Sequence, residues 1–139
     1  VMFSPESRIL LIDDFELTRV TLRIGLTNLG YKLLEEADDG DSALKKIIDS
    51  YASGKPYDLI FCDWNMPNMS GLELLKKLRQ DNRFVRLPFI MVTAEADRGN
   101  VIEALIAGAS DYVVKPFDAD VISKKIEIVA KKLTSKKSA

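Results

Sequence analysis

The chain contains no histidine. An imidazole is therefore unavailable as general base, metal ligand or phosphate carrier, and any chemistry must rest on carboxylates, lysine, threonine and tyrosine. Cysteine is nearly absent as well. The one thiol, Cys62, excludes an internal disulfide, lies in an apolar run, and reads as a buried core residue of a protein from a reducing compartment. Charge of one sign is also lacking: 20 basic residues face 21 acidic ones, a net charge of -1. No overall field draws such a molecule to nucleic acid or to an acidic membrane. No apolar stretch approaches the ~20 residues of a membrane helix and no signal peptide is visible, so a cytoplasmic location is expected. Two phosphate-binding patterns, the GxxxxGK[ST] loop and the GxGxxG turn, are missing, which leaves little support for a nucleotide hydrolase or a dinucleotide-dependent dehydrogenase.

What is present is an alternation of short apolar runs and helical patterns. Ile9 to Ile12 is a continuous apolar run, followed by a segment with Leu22, Leu26 and Leu29 on one face that stops at Gly30. Lys32 to Ala37 suits an edge strand, and Ala43, Leu44, Ile47, Ile48 and Tyr51 recur at the spacing of an amphipathic helix. Leu59 to Cys62 and Phe89 to Val92 read as buried strands. Between them, Gly71 to Gln80 reads as a helix with Leu72, Leu75 and Leu78 inward and Ser70 as its cap. Val101, Ile102, Leu105 and Ile106 mark a fourth helix ended by Gly108, Tyr112 to Val114 a fifth strand, and Ile122, Ile126, Val129 and Leu133 a last helix. Five βα units fill one domain over residues 1–139, with 1–6 and 134–139 as flexible ends. Strands that are apolar throughout imply a sheet covered on both faces, and intervening helices imply parallel pairing with right-handed crossovers. The expected fold class is α/β, a doubly wound five-stranded parallel sheet with five helices. Flavin binding stays open as a minor alternative for such a fold.

Ligands of open parallel sheets bind beyond the carboxyl ends of the strands. Strand one is followed there by Asp13 and Asp14, strand three by Asp63, strand four by Thr93 and strand five by Lys115. Each has an ordinary reading alone: a solvated helix start for the acid pair, a turn residue for Asp63, a strand-end hydroxyl for Thr93, a turn before Pro116 for Lys115. Their joint placement changes the odds. Three carboxylates within several Å repel by about a few kcal/mol per close pair at an effective dielectric near 20, a cost that a divalent cation relieves. Oxygen ligands without histidine or cysteine fit Mg2+ rather than Zn2+. Lys115 offers a fixed positive charge and Thr93 a hydroxyl donor for phosphoryl oxygens, and Asp63, expected near the centre of the sheet, is the candidate nucleophile.

At these residues the sequence resembles the response-regulator receiver family, and within it the single-domain chemotaxis regulators. The resemblance spans residues 7 to 133. Its marks are Ile12-Asp13-Asp14, Asp63-Trp64-Asn65-Met66-Pro67-Asn68-Met69, Met91-Val92-Thr93-Ala94-Glu95-Ala96, and Gly108-Ala109-Ser110 leading to Tyr112-Val113-Val114-Lys115-Pro116-Phe117. It implies a flavodoxin-like strand order 2-1-3-4-5 and phosphorylation of Asp63 by a histidine kinase. It also implies Mg2+ held by Asp14, Asp63 and the backbone carbonyl of Asn65, with Asp13 acting through a metal-bound water. Lys115 would bind a phosphoryl oxygen, with a cis peptide to Pro116, while Thr93 and Tyr112 would form the switch. Asn65 and Glu95 occupy positions that tune dephosphorylation. The implied protein is a monomeric signalling switch rather than an enzyme. Its partners would be a flagellar motor switch protein or another downstream protein, read through the fourth helix, fifth strand and fifth helix, together with a phosphatase. Neither nucleic acid nor membrane is expected as a partner. A receiver belonging to a hybrid kinase or an output-domain regulator, and a Mg2+-dependent phosphatase-like enzyme, remain as alternatives. Three departures from the chemotaxis pattern stand out: a longer loop at Tyr51 to Tyr57, Ser70 in place of the usual Asp, and Glu103, Leu105 and Ile106 in the fourth helix.

Overall fold

The computed structural model describes residues 3–94 and 98–138. In chain order the elements are β1 (Arg8–Ile12), α1 (Glu16–Asn28), β2 (Leu33–Ala37), α2 (Gly40–Ala52), β3 (Leu59–Asp63), α3 (Gly71–Arg79), β4 (Phe89–Thr93), α4 (Arg98–Ala107), β5 (Asp111–Val114) and α5 (Ala119–Ser138). All strand pairs are parallel and the order is β2-β1-β3-β4-β5, as expected. The central strand β3 and its neighbour β4 are buried at every residue, whereas edge strand β2 is exposed at Leu33 and Glu35, half-buried at Leu34 and Glu36, and buried only at Ala37.

Period-two alternation divides the strand side chains between two cores. Ile9, Leu11, Leu59, Phe61, Ile90, Val92 and Val113 pack against α1 and α5 through Leu22, Leu26, Ile122, Ile126 and Val129. Leu10, Ile12, Ile60, Cys62, Phe89 and Met91 pack on the other face against α2, α3 and α4, through Ala43, Ile47, Leu74, Leu75, Leu78 and Ala104. Cys62 is fully buried, and its thiol donates to the carbonyl of Asp63. At the amino end Phe3 packs against the first of these cores, and Lys32 N–H donates to Pro5 O.

Helix ends follow their local chemistry. Asp39 caps α2 by accepting from Ser42 N–H at 2.7 Å, and Ser70 caps α3 by accepting from Glu73 N–H at 3.1 Å. Gly108, at φ +111°, ends α4 in a backbone conformation that costs glycine nothing. Two helical faces, those of α3 and α1, differ from the pattern read in the sequence. In α3 the inward leucines are Leu74, Leu75 and Leu78, and Leu72 is only half-buried, because the helix turns its first apolar residue along the rim of the sheet. Leu29 caps the end of α1, past its last core contact, and is exposed. In α4 the small Ala104 makes the core contact while Ile102, Leu105 and Ile106 are exposed, Ile106 to 82%.

Candidate functional site at the carboxyl edge of the sheet

Strand register assembles the site. Ile12, Cys62, Met91 and Tyr112 occupy one row across β1, β3, β4 and β5. Asp13 and Asp63 lie one step beyond that row, Thr93 two and Lys115 three, so four short strands deliver the polar residues to one edge. β3 is central, which places Asp63 between the acids of β1 and the Thr93 and Lys115 side. The chain then leaves β3 through Trp64, whose N–H donates to Val92 O at 3.0 Å, and re-enters helix at Gly71, whose N–H donates to Trp64 O at 2.8 Å. Gly71 is required there: a Cβ at this position would stand 2.2 Å from the carbonyl oxygen of Asp63.

One carboxylate oxygen from each of Asp13, Asp14 and Asp63 can be chosen so that all three lie within 4.8 Å of one another. The three differ in setting. Asp13 is 1% exposed and both its oxygens are engaged, Oδ1 by Phe15 N–H at 2.8 Å and Oδ2 by the Lys115 ammonium at 3.0 Å. Asp63 is buried and takes a second bond from Lys115 Nζ at 3.2 Å. Asp14 is exposed and shares a shallow opening with Asn65, Met66, Pro67 and Ser70. Three carboxylates therefore meet one ammonium. Burial, then the negative charge of Asp13, push the Asp63 carboxyl up to about 6, against the opposing pull of Lys115. Burial alone would lower the ammonium of Lys115, but its bond to Asp13 and the charges of Asp63 and Asp13 raise it overall, so it is held protonated.

Thr93 is buried at the end of β4, and its carbonyl accepts from Lys115 N–H at 2.7 Å. The peptide between Lys115 and Pro116 is cis, as expected. By strand alternation Thr93 and Tyr112 fall on the same face of the sheet, the one covered by α4. Tyr112 is half-buried at the sheet edge, with the Lys125 ammonium 4.2 Å from its ring centroid. Glu95 lies outside the described residues.

The structure also shows contacts that sequence reasoning missed, one pair at the Asp13 turn and one at the amino end of β5. Arg19 Nη1 donates to the backbone oxygen of Asp13 at 2.6 Å, and Arg19 Nε to Glu36 Oε1 at 2.9 Å. Lys125 Nζ donates at 3.0 Å to Asp111, which is buried and also accepts from Tyr112 N–H at 2.8 Å. A bond to a backbone carbonyl leaves no residue pattern to read. The acid Glu36 on a half-buried strand, opposite two arginines four apart in α1, was the one available sign.

Residues 9–127 match the family of response regulator receiver domains, and the chain belongs to that family. Within it the chain is CheY-like. It is 47% identical over 120 residues to chemotaxis protein CheY of Pseudomonas aeruginosa, covering 86% of this chain and 93% of that protein. It is 43% identical over 122 residues to chemotaxis protein CheY1 of Helicobacter pylori, covering 88% and 95%. The structure is similar to the chemotaxis response regulator CheY4 of Vibrio cholerae, with a TM-score of 0.77 and 31% identity over 89% of this chain and 98% of that one.

Receiver domains bind Mg2+ at an acidic pocket, and the donor set here fits that ion. Among the described residues it offers only oxygen atoms, and its three carboxylates exceed the one ammonium bonded to them by the charge of a divalent cation. The residues that could hold it are Asp13, Asp14 and Asp63, with Asn65 beside Asp14 at the shallow opening. None of the described helices is long and apolar enough to cross a membrane.

Proposed function

We propose that this chain is a phosphorylation-activated switch of a chemotaxis-type two-component pathway, with Asp63 as the acceptor. The observation that carries the reading is the meeting of Asp13, Asp14 and Asp63 with a single ammonium, Lys115, at the end of the central strand. CheY-like response regulators take phosphate from a histidine kinase and act on downstream targets. In this chain a carboxylate oxygen of Asp63 attacks the phosphorus of a phosphohistidine. The new P–O bond forms as the P–N bond breaks, and the imidazole leaves with the electron pair. Mg2+, when bound, supplies charge neutralisation for the phosphoryl oxygens.

The other roles are those that the resemblance to the receiver family implies. Lys115, already bonded to Asp63, transfers its donors to a phosphoryl oxygen. Asp14 and Asp63, with the Asn65 carbonyl, would hold the cation. Asp13, whose two oxygens are already engaged, would support it indirectly, through a water. Thr93 closes on the phosphoryl group and Tyr112 on the same sheet face turns inward behind it. Asn65 and Glu95 set the lifetime of the acyl phosphate. Chemistry ends at the loss of that phosphate from Asp63, without turnover of an external substrate. The output surface is α4, β5 and α5, where Ile102, Leu105 and Ile106 are exposed and suit an apolar partner such as a flagellar motor switch protein. We read the chain as a single cytoplasmic receiver domain, monomeric when unphosphorylated, with a phosphatase as a further partner.

Incubation with Mg2+ and a small acyl-phosphate donor should add one phosphoryl group, detected by mass spectrometry of the intact protein. Asp63→Asn should abolish the addition. Undiminished labelling of that variant would sink the assignment.

A further inference from the structure

The peptide that joins Asp13 to Asp14 is gripped from outside the acidic pocket. Its carbonyl oxygen accepts from Arg19 Nη1, in the first turns of α1, at 2.6 Å. The other edge of the same guanidinium is pinned, Nε to Glu36 Oε1 on β2 at 2.9 Å. Glu36 is itself held: its Oε2 accepts from Arg23 Nε at 2.9 Å, and its backbone oxygen accepts from the Lys46 ammonium. Arg23 further donates to Leu34 O at 3.2 Å. A planar fork clamped at both ends has little freedom to move, so the carbonyl it holds has little either.

Two further facts give that carbonyl consequence. Asp13 N–H donates to Ala37 O at 3.1 Å, so the turn is held by β2 on one side and by Arg19 on the other. Asp13 is also fixed by its own carboxylate bonds, whereas Asp14 is exposed at the opening. The direction in which the Asp14 side chain leaves the backbone is therefore set by the plane of the peptide that Arg19 grips.

We propose that Arg19, held by Glu36, is a positioning residue of the cation site, orienting the Asp13–Asp14 peptide so that the Asp14 carboxylate converges with Asp63. The proposal rests on the reading of the acidic pocket as a Mg2+ site. Charge and position predict opposite signs here. By charge alone, removing a cation near three carboxylates tightens Mg2+ binding. By position, the loss frees the turn and weakens binding, because pre-organised ligands no longer converge.

The experiment titrates MgCl2 at constant ionic strength against the fluorescence of Trp64, the only tryptophan and the neighbour of Asp63, in wild type, Arg19→Gln, Arg19→Lys and Glu36→Gln. Urea unfolding in EDTA runs in parallel to measure the metal-free fold. Expected is a rise in the Mg2+ Kd of about tenfold for Arg19→Gln, or 1.4 kcal/mol. Arg19→Lys should fall between it and wild type, because an ammonium can reach the carbonyl but lacks the fork. Glu36→Gln should weaken binding in the same direction as Arg19→Gln, and combining the two should add less than their sum. A Kd that is unchanged or tighter in Arg19→Gln, with only the urea midpoint lowered, overturns the proposal and leaves Arg19 as a tie between α1 and β2. If Arg19→Gln does not fold, Arg19→Lys carries the same comparison. A wild-type protein whose Trp64 fluorescence and unfolding midpoint both ignore millimolar Mg2+ overturns the metal reading itself, a result distinct from a shift confined to the variants.

Discussion

Asp63 sits where folding and chemistry pull in opposite directions. Its carboxyl is raised to about 6, first by burial and then by Asp13, so in metal-free protein the ionised form is disfavoured by the fold. Stability that depends on the protonated group is complete below the ordinary aspartate range, near 4, and is lost as pH rises through about 6. In EDTA the wild type should therefore lose urea stability over that interval. Asp63→Asn should not, and at pH 8 it should be the more stable protein by on the order of 1–2 kcal/mol, allowing for solvent screening at an open site. A midpoint for the variant below that of wild type at pH 8 would contradict this account. Lys125 presents the reverse case. It supplies the salt-bridge partner of buried Asp111 and lies over the Tyr112 ring. Lys125→Met should cost about 1–3 kcal/mol by leaving that carboxylate one donor short. Adding Asp111→Asn should restore part of the loss in thermal denaturation.

At the scale of elements, the start of α3 is pressed against the end of β3. Gly71→Ala places a methyl group 2.2 Å from Asp63 O and 3.1 Å from Met91 Sδ, so the helix must shift away from the strand. The expected cost is about 1–3 kcal/mol, together with slower labelling of Asp63, since the backbone that must move carries the acceptor. Normal stability and labelling in this variant would show that the helix start yields freely. What the sequence made legible follows the same division. Buried strands and their terminal Asp13, Asp14, Asp63, Thr93 and Lys115 could be read because a parallel sheet converts order along the chain into position at one edge. Helix faces were harder. Leu72 looked inward and is half-buried, and α4 meets the core through the small Ala104 while Ile102, Leu105 and Ile106 stay exposed. Arg19, Glu36, Lys125 and Asp111 were not legible, since their partners are backbone atoms or side chains distant in sequence. Ile106→Ser on the outer face of α4 should change stability by less than about 0.5 kcal/mol, as a residue outside the core does, while weakening binding of any partner that reads this helix.

Across the whole molecule, two apolar cores support a single edge on which like charges are forced together, so that edge should be where a ligand returns most stability to the fold. At a Mg2+ concentration about 100 times its Kd, binding to the folded state alone should add about 2.7 kcal/mol to unfolding. The gain should be largest for wild type and small for Asp14→Ala, which keeps the buried pair of Asp13 and Asp63 with Lys115 but loses the exposed carboxylate at the opening. Chemical denaturation with and without Mg2+, with Ca2+ in a third series, measures the coupling directly. Ca2+ favours a larger, looser oxygen shell than this small pocket offers, so it should stabilise less than Mg2+ at equal concentration. Equal gains from both ions, or an equal gain in Asp14→Ala, would mean that the cation merely screens the acidic edge rather than occupying a coordination site within it.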